Sequence, residues 1–268
     1  MTGSAPFVPR RHDANRLTLL ALVAILPPVS VALAERGAAA LGVLGVAVIL
    51  AVIWAAVFAR VRGRPFGWDS LVTALVFAAL VPDAVPLWQV AIGFSFGLVM
   101  GDLIFGGRGR GFLSPAAVGL AFLLFSFPVP DMAMSGMAAR VAALGAAAIL
   151  LVSGLLSWRV VAGFAAGVIG LSFSAIIADV GAFVPSATLL LGLVFLVGDP
   201  VAGASTNVGR WAYGLLAGAL FVLLRLAGGI DLPAIVFAAL LASIFAPLID
   251  QAVIWANVRR RARRQRDV

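Results

Sequence analysis

Residues 38–59 read AAALGVLGVAVILAVIWAAVFA, and none of them carries a charged side chain. An α-helix rises about 1.5 Å per residue and the hydrocarbon core of a bilayer is about 30 Å thick, so about 20 apolar residues cross it. This stretch meets that length, and Arg60, Arg62 and Arg64 follow directly. It therefore predicts a membrane-spanning helix that ends in a cluster of arginines.

The composition of the whole chain agrees with this prediction. Of its 268 residues, 63% are hydrophobic and 11% are charged, whereas a soluble domain is about 45–50% apolar and about 25% charged. Side chains with so little polarity could not cover the surface of a soluble globule of this size. We therefore predict an all-α polytopic membrane protein whose main partner is the lipid bilayer.

Several functional classes are excluded by residue counts. The net charge is +8, but the arginines stand in short clusters between apolar runs, which is typical of membrane loops and not of a nucleic-acid-binding face. The chain has no cysteine and a single histidine, His12. We therefore expect no nucleic-acid partner, no metal site and no catalytic triad or cysteine nucleophile.

Ten apolar segments can be distinguished along the chain. Two of them, 70–82 and 186–198, are too short to cross a bilayer without tilt, local thinning or a broken helix. The segments are 17–34, 38–59, 70–82, 86–105, 113–128, 139–157, 160–178, 186–198, 211–227 and 232–256.

The arginines predict the orientation of these segments. Ten crossings place both termini on one side of the membrane, and cytoplasmic loops are enriched in arginine. With both termini in the cytoplasm, only Arg36, Arg140 and Arg225 of the 19 basic residues fall outside. We therefore predict a multi-pass membrane protein with both termini cytoplasmic.

An internal repeat is indicated by an ordered series of matches. The sequence LVF occurs at 75–77 and at 193–195, and each copy precedes an acidic proline break, 81–83 (VPD) and 198–200 (GDP). Later residues recur in the same order: Trp88, Gly93 and Gly97 against Trp211, Gly214 and Gly218, then Gly106-Gly107 against Gly228-Gly229, Pro115 against Pro233, and Pro128 against Pro247.

Because each repeat holds five segments, an odd number, the second repeat must be inverted in the membrane. We predict a cytoplasmic tail (1–16), a first repeat (17–128), an external loop (129–138), a second repeat (139–257) and a basic cytoplasmic tail (258–268). Interrupted helices inside a membrane are tolerated within protein or beside water, and one per repeat is typical of a transport pathway. We therefore expect the two breaks to meet near the middle of the molecule.

Few polar side chains in these segments require an explanation. Asp199 stands at the second break, ahead of 205–207 (STN), and Asp250 follows a proline-interrupted run. Charges at membrane depth usually serve function, although each of these could instead mark the end of a span. For Asp102 and Arg225 we favour the interpretation that the residue marks the end of a span.

The loop 106–111, with the sequence GGRGRG, has the composition of a phosphate cradle. It lacks the lysine and hydroxyl of a P-loop and the strand of a dinucleotide-binding fingerprint. The preference of cytoplasmic loops for arginine explains it without a ligand.

The chain resembles the family formed by the B subunit of the sodium-translocating NADH:quinone oxidoreductase and the D subunit of Rnf complexes. The resemblance rests on FGG-x-G-x-x-FL-x-PA at 105–116, on GDPV at 198–201, on TN-x-GRW-x-YG at 206–214 and on FAPL-x-D at 245–250. It implies a subunit of an electron transport complex and not an enzyme by itself. The ion pathway that it implies would use two carboxylates and three neutral oxygen ligands: Asp199, Asp250, Ser205, Thr206 and Asn207.

The family's cofactors are implied only in part. Its covalent FMN is attached to a threonine after the fifth segment, but this chain reads VPDMAMSGMAAR at 129–140 and has no threonine between Thr73 and Thr188. We therefore expect no covalent FMN. The residues implied for a non-covalent flavin, riboflavin or FMN, are Gly106, Gly107, Gly109, Gly111 and Ser114. Gly111 and Ser114 stand where relatives have asparagines, so the amide donors and acceptors for a flavin edge are absent.

Three functions follow as alternatives. The first is a subunit that couples electron transfer on flavin- and Fe–S-carrying partners to Na+ or H+ movement, or that anchors the complex to the quinone pool. The second is a flavin-free transporter or channel for a small solute or ion, using the same inverted-repeat pore. The third is a structural membrane anchor without a pathway.

Overall fold

The computed structural model of the chain describes residues 14–63, 67–82, 84–128, 136–172, 185–228 and 230–266. These residues form helices and contain no strand. Two of the helices, α4 and α8, continue as π-helical turns, π1 (Val99–Leu103) and π2 (Leu193–Val197). The helices are α1 (Ala14–Arg36), α2 (Ala38–Arg62), α3 (Asp69–Leu80), α4 (Leu87–Leu98), α5 (Pro115–Ser126), α6 (Met137–Val152), α7 (Trp158–Ser172), α8 (Ala187–Gly192), α9 (Asn207–Gly228) and α10 (Asp231–Arg266).

The helices follow the ten apolar segments of the sequence in order. The end of the segment 160–178 lies outside the described residues, as do most of the loop 129–138 and most of the tail 1–16. The largest difference is at the end of the chain, where α10 runs on through the arginine cluster to Arg266 and not to 256. Arginine is a good helix former, so the polar run extends the helix that precedes it.

Among the described residues, four helical stretches are long and apolar enough to cross a membrane: Arg16–Arg36, Ala38–Arg62, Asn207–Gly228 and Asp231–Arg259. The other apolar helices are shorter. The shortness of α3 and α8 is explained by their position, because most side chains of both helices are buried. A helix that is enclosed by other helices on all sides need not match the thickness of a bilayer.

The helix ends alternate between two ends of the molecule. At one end, the Thr18 hydroxyl at the start of α1 donates to Asp69 Oδ1 at the start of α3 (2.5 Å), and Arg62 at the end of α2 donates to the Ile104 carbonyl after π1 (2.9 Å). Arg108 and Arg210 line cavities at this same end. We call it the arginine end.

The opposite end is marked by a second set of contacts. Arg36 at the end of α1 donates to the Val81 carbonyl at the end of α3 (3.0 Å). Trp88 at the start of α4 packs edge-on against Phe127 after α5, with ring centroids 5.4 Å apart. Since Thr18 and Arg36 lie at the two ends of one helix, α1 and α3 run in parallel from the arginine end to the other.

This arrangement corrects the expectation that the two helix breaks meet. The break after α3 begins at Val81, beside Arg36, whereas Asp199 in the break after α8 lines cavities together with Asp69. The two breaks therefore lie at opposite ends: α3 begins at the arginine end, whereas the helix formed by α8 and π2 ends there. The break after α8 meets the beginning of α3. Asp83 itself lies outside the described residues.

Glycines allow two helix pairs to approach closely. A Cβ at Gly97 would stand 2.5 Å from the Gly119 Cα, which shows how tightly α4 packs on α5. In α7, a Cβ at Gly167 would stand 2.5 Å from the Leu215 carbonyl of α9. Small residues at helix contacts are typical of membrane helices. Gly97 and Gly218, aligned in the sequence, thus face different neighbours, since Gly218 packs on Phe164 of α7.

Candidate functional site

Two adjoining cavities open between the two halves of the chain at the arginine end. The space inside them is about 50 Å³ in the inner one and about 350 Å³ in the outer one. Both are lined by Asp69 at the start of α3, Arg108 between π1 and α5, and Asp199 after π2. We call the two cavities together the charged crevice.

Asp102 lies deepest among the charges of the crevice. It stands within the π1 turn, is only 7% exposed, and lines the inner cavity. Arg108 and Arg62 lie within electrostatic range of it, as do Asp69 and Asp199. The inner cavity is thus lined by three carboxylates and one guanidinium. A net negative charge in a low-dielectric cavity favours a cation as its occupant.

Asp199 is held in place by the turn that it begins. The Val201 amide donates to its Oδ1 (2.9 Å), and the Gly203 amide donates to its carbonyl (3.0 Å). Pro200 between them cannot donate a hydrogen bond and limits the backbone to this turn. The turn places the Asp199 carboxylate at the walls of both cavities.

The loop that follows Asp199 packs over Tyr213 of α9. Tyr213 is fully buried and its hydroxyl donates to the Val197 carbonyl at the end of π2 (3.1 Å). The amide of a regular α-helix would satisfy that carbonyl, but the helix ends there. The tyrosine therefore caps the broken helix and supports the loop at the same time.

Asp250 lies in a second cluster, at the beginning of α9. Its Oδ2 accepts hydrogen bonds from the Ser205 amide (2.7 Å) and hydroxyl (2.8 Å), and its Oδ1 accepts from the Thr206 amide (3.0 Å) and hydroxyl (2.6 Å). Thr206 Oγ1 in turn accepts from the Gly209 amide (3.1 Å), as an N-cap does. We call the four hydrogen bonds to the carboxylate the Asp250 clamp.

The structure thus separates the five residues that the sequence grouped as an ion pathway. It brings Asp250 together with Ser205 and Thr206, and it leaves Asn207 exposed at the first position of α9. Asp199 lies in the charged crevice, and among the described residues that line the crevice Asp250 does not occur.

The glycine-rich loop is divided between two cavities. Gly109, Gly111 and Ser114 line the inner cavity, whereas Gly106 and Gly107 line a third cavity, against α2. Gly106, Gly107 and Gly109 have φ values of 114°, 91° and 88°, a conformation that other residues rarely adopt. The glycines are therefore required by the path of the loop, whether or not a ligand is bound.

Sequence reasoning did not identify Asp69 and Arg108 as site residues. Asp69 begins a segment too short to cross a bilayer, just as Asp199 ends the other one, and this symmetry was the available signal. Arg108 was explained as part of a cytoplasmic loop. Within the described residues, no three histidine, aspartate or glutamate side chains are grouped so that they could ligate a metal ion.

Comparison with known proteins identifies the family of the chain. A profile of the NQR2, RnfD, RnfE family matches residues 1–141 and 131–259. The chain is similar to the B subunit of the Na(+)-translocating NADH-quinone reductase of Ectopseudomonas mendocina, with 32% identity over 84% of this chain and 69% of the relative. The same subunit of Pseudomonas paraeruginosa is 31% identical over 94% of this chain and 77% of its own length. That of Neisseria meningitidis is 32% identical over 79% and 66%. The chain belongs to the NQR2, RnfD, RnfE family.

Proposed function

We propose that this chain is the integral membrane subunit of an electron transport complex in the bacterial plasma membrane. In this function it couples electron transfer on partner subunits to the movement of Na+ or H+ across the membrane. The observation that carries the proposal is the similarity, over most of both chains, to the B subunits of Na(+)-translocating NADH-quinone reductases. Partner subunits with flavin and Fe–S centres, and contact with quinone, belong to the same proposal.

The proposed topology has ten spans, both termini in the cytoplasm and two inverted repeats, 17–128 and 139–257. The alternation of the helix ends supports ten crossings. Corresponding helix pairs pack together in both halves: α1 with α3 and α6 with α8, α2 with α4 and α7 with α9, α4 with α5 and α9 with α10, and α3 with α5 and α8 with α10. Two repeats of one fold would produce these matched pairs.

The ion pathway proposed here passes through the charged crevice. Hard cations prefer oxygen ligands. The inner cavity is lined by the carboxylates of Asp69, Asp102 and Asp199 and the hydroxyls of Thr73 and Ser114; the carboxylates are not grouped as one metal site, so a cation would meet them in turn. Residues from both halves contribute to it. A change in how the halves pack would therefore alter the distances between these oxygens, which is the physical basis for coupling ion movement to events elsewhere in the complex.

For cofactors, we propose that no FMN is covalently attached, since the chain has no threonine between Thr73 and Thr188. In this conformation the inner cavity offers about 50 Å³ to a ligand, below the range of about 300–1,000 Å³ of small-molecule sites, so a non-covalent flavin would require the loops of the charged crevice to open. Gly109, Gly111 and Ser114 would lie along one wall, with the apolar side chains of Leu155 and Phe195 also lining the cavity. When bound, a flavin supplies electron transfer in one- or two-electron steps.

Purification of the tagged chain from its own membranes in mild detergent tests the proposed function. We expect partner subunits with flavin and Fe–S absorption to co-purify, and the complex to reduce quinone with NADH in a sodium-stimulated reaction. A chain that purifies alone and moves solute into liposomes would support the transporter instead. After denaturation, the polypeptide should show no flavin fluorescence on a gel, and a fluorescent band would contradict the prediction about covalent FMN.

A further inference from the structure

The side chain of Arg108 lies where three cavities of the arginine end adjoin. It lines the inner and outer cavities of the charged crevice and also the third cavity, which lies against α2. Asp69 lines the same three cavities, whereas Asp102 lines the inner and third ones and Asp199 lines the inner and outer ones. Arg108 therefore shares the inner cavity with all three carboxylates of the crevice.

Arg108 is not bound to any of these carboxylates. Within the described part of the chain, its guanidinium forms no hydrogen bond and no ion pair, although it lies within electrostatic range of Asp102. Arg62, which lines the third cavity, differs from it, because it donates to the Ile104 carbonyl (2.9 Å). Arg108 thus brings a positive charge to the crevice without being held in one position.

The loop around Arg108 leaves room for its side chain to move. Gly107 and Gly109 flank it with φ values of 91° and 88°, and a Cβ at either glycine would meet nothing within 4 Å. The third cavity, of about 260 Å³, offers the side chain space outside the crevice. Glycine also gives the backbone more freedom than other residues do. The guanidinium can therefore leave the carboxylates without breaking a close contact.

A cation and this guanidinium compete for the same carboxylates. With all groups ionised, three carboxylates and one guanidinium give the inner cavity a net charge of −2, and without the guanidinium it would be −3. Like charges repel strongly in a cavity of low dielectric. A transport site must also bind its ion weakly enough to release it. A tethered guanidinium lowers the affinity of the carboxylates for the cation and thereby favours release.

We infer that Arg108 is the internal counter-ion of the charged crevice. It neutralises part of the carboxylate charge when no cation is bound, and an entering cation displaces it toward the third cavity. Arg108 thereby sets the affinity of the crevice for the cation. The inference deepens the proposed function and rests on it, because it takes the charged crevice as the ion pathway.

Cysteine labelling tests this competition without reference to activity. The chain has no cysteine, and Arg110 provides a control, because it lines the third cavity but is not among the described residues that line the crevice. In permeabilised membranes that contain the whole complex, Arg108→Cys should prefer a cationic over an anionic methanethiosulfonate reagent about tenfold more strongly than Arg110→Cys does.

Sodium chloride should then slow the cationic reagent at Arg108→Cys about threefold or more and leave Arg110→Cys unchanged, with the ionic strength held constant by choline chloride so that screening stays the same. Equal reagent preferences at the two positions, or a rate at Arg108→Cys that sodium does not change, would overturn the inference.

Three charge variants test the affinity in the purified complex. Arg108→Gln should lower the half-saturating sodium concentration about tenfold and also lower the maximal sodium-stimulated rate, because a more tightly bound cation is released more slowly. Arg108→Lys keeps the positive charge and should stay within about threefold of the native concentration, as should Arg110→Gln. A half-saturating concentration that is unchanged or higher in Arg108→Gln would contradict the inference. If the native complex does not respond to sodium, the proposed function fails, while the labelling result still decides whether Arg108 and a cation compete.

Discussion

At the scale of single residues, the region around the break after α8 depends on the hydroxyl of Tyr213 and on the small size of Gly209. Tyr213 is the largest fully buried side chain among the described residues, and its hydroxyl reaches across to the Val197 carbonyl. Gly209 is buried beside the Asp250 clamp, where a Cβ would stand 2.5 Å from Asp250 Oδ1. Tyr213 is favoured by its hydrogen bond and Gly209 by the lack of space for a Cβ.

Replacing Tyr213 by phenylalanine should destabilise the protein by about 1–3 kcal/mol, because the buried Val197 carbonyl loses its donor. The midpoint of heat denaturation of the purified complex should fall accordingly. Leu215→Ala, at an exposed position of the same helix, is the control and should shift the midpoint less. Equal midpoints for Tyr213→Phe and the native chain would show that the hydrogen bond contributes nothing.

Replacing Gly209 by alanine should open the Asp250 clamp, because the added methyl group competes for the space of Thr206 Oγ1 and Asp250 Oδ1. Ala204 is 5% exposed, so we expect faster maleimide labelling of Ala204→Cys when the loop before α9 is released. Gly228→Ala at the far end of α9 adds a methyl group that meets nothing within 4 Å and should leave the rate unchanged. The prediction fails if the two glycine variants label alike.

At the scale of helices, close packing holds helix pairs together, whereas helix interruptions place the loops of the charged crevice. The tight pairs α4–α5 and α7–α9 depend on glycines that bring backbones into contact, which is how helices associate where no hydrophobic effect drives them together. The helices α4 and α8 end in π turns whose last residues lead into the loops of the charged crevice. Such π-helical turns are frequent at functional sites.

Two glycines of α7 provide a matched test of this packing. A methyl group at Gly167 would stand 2.5 Å from the Leu215 carbonyl, whereas one at Gly170 would meet nothing within 4 Å. Gly167→Ala should therefore destabilise the fold by about 1–3 kcal/mol through overpacking. Gly170→Ala should be neutral or stabilising by up to about 1 kcal/mol, because alanine is the better helix former. Heat denaturation of both variants in detergent measures the difference, and a fall in the Gly170→Ala variant equal to that of Gly167→Ala would contradict it.

At the scale of the whole molecule, the charged crevice is built where the two halves meet. Asp69, Asp102 and Arg108 come from the first half and Asp199 from the second. Helices of both halves pack across this boundary, among them α1 on α6 and α5 on α10. The site exists only when both halves are folded and joined, so we expect neither half to bind a cation alone.

The proposed topology predicts from which side of the membrane a single introduced cysteine reacts with a maleimide. Met137 at the start of α6 is 71% exposed and Val208 at the start of α9 is 63% exposed, and the topology places them on opposite sides. In intact cells a membrane-impermeant maleimide should label Met137→Cys, while Val208→Cys should react only after permeabilisation. Labelling of both positions in intact cells would contradict ten spans with cytoplasmic termini.

The sequence alone determined where the helices lie, and its arginines predict the side of the membrane on which the loops stand. Apolar length and arginine clustering are properties of consecutive residues, so the segments 38–59 and 211–227 could be located without knowing their neighbours, and α2 and α9 confirm them. Local sequence also identified Asp199 as a candidate site residue, because an acidic residue next to a proline interrupts a short apolar run there.

Only the tertiary structure decided which of these residues meet. Asp69 and Asp199 are distant in sequence, yet both line the charged crevice, because α3 begins where π2 ends and α3 contacts α8. For the same reason the two breaks lie at opposite ends of the molecule and not together. Asp250 looked like a second free carboxylate in the sequence, but in the fold its oxygens accept four hydrogen bonds from residues 205 and 206. Contacts between residues far apart in the chain depend on how helices pack, and hydropathy along a single chain does not contain that information.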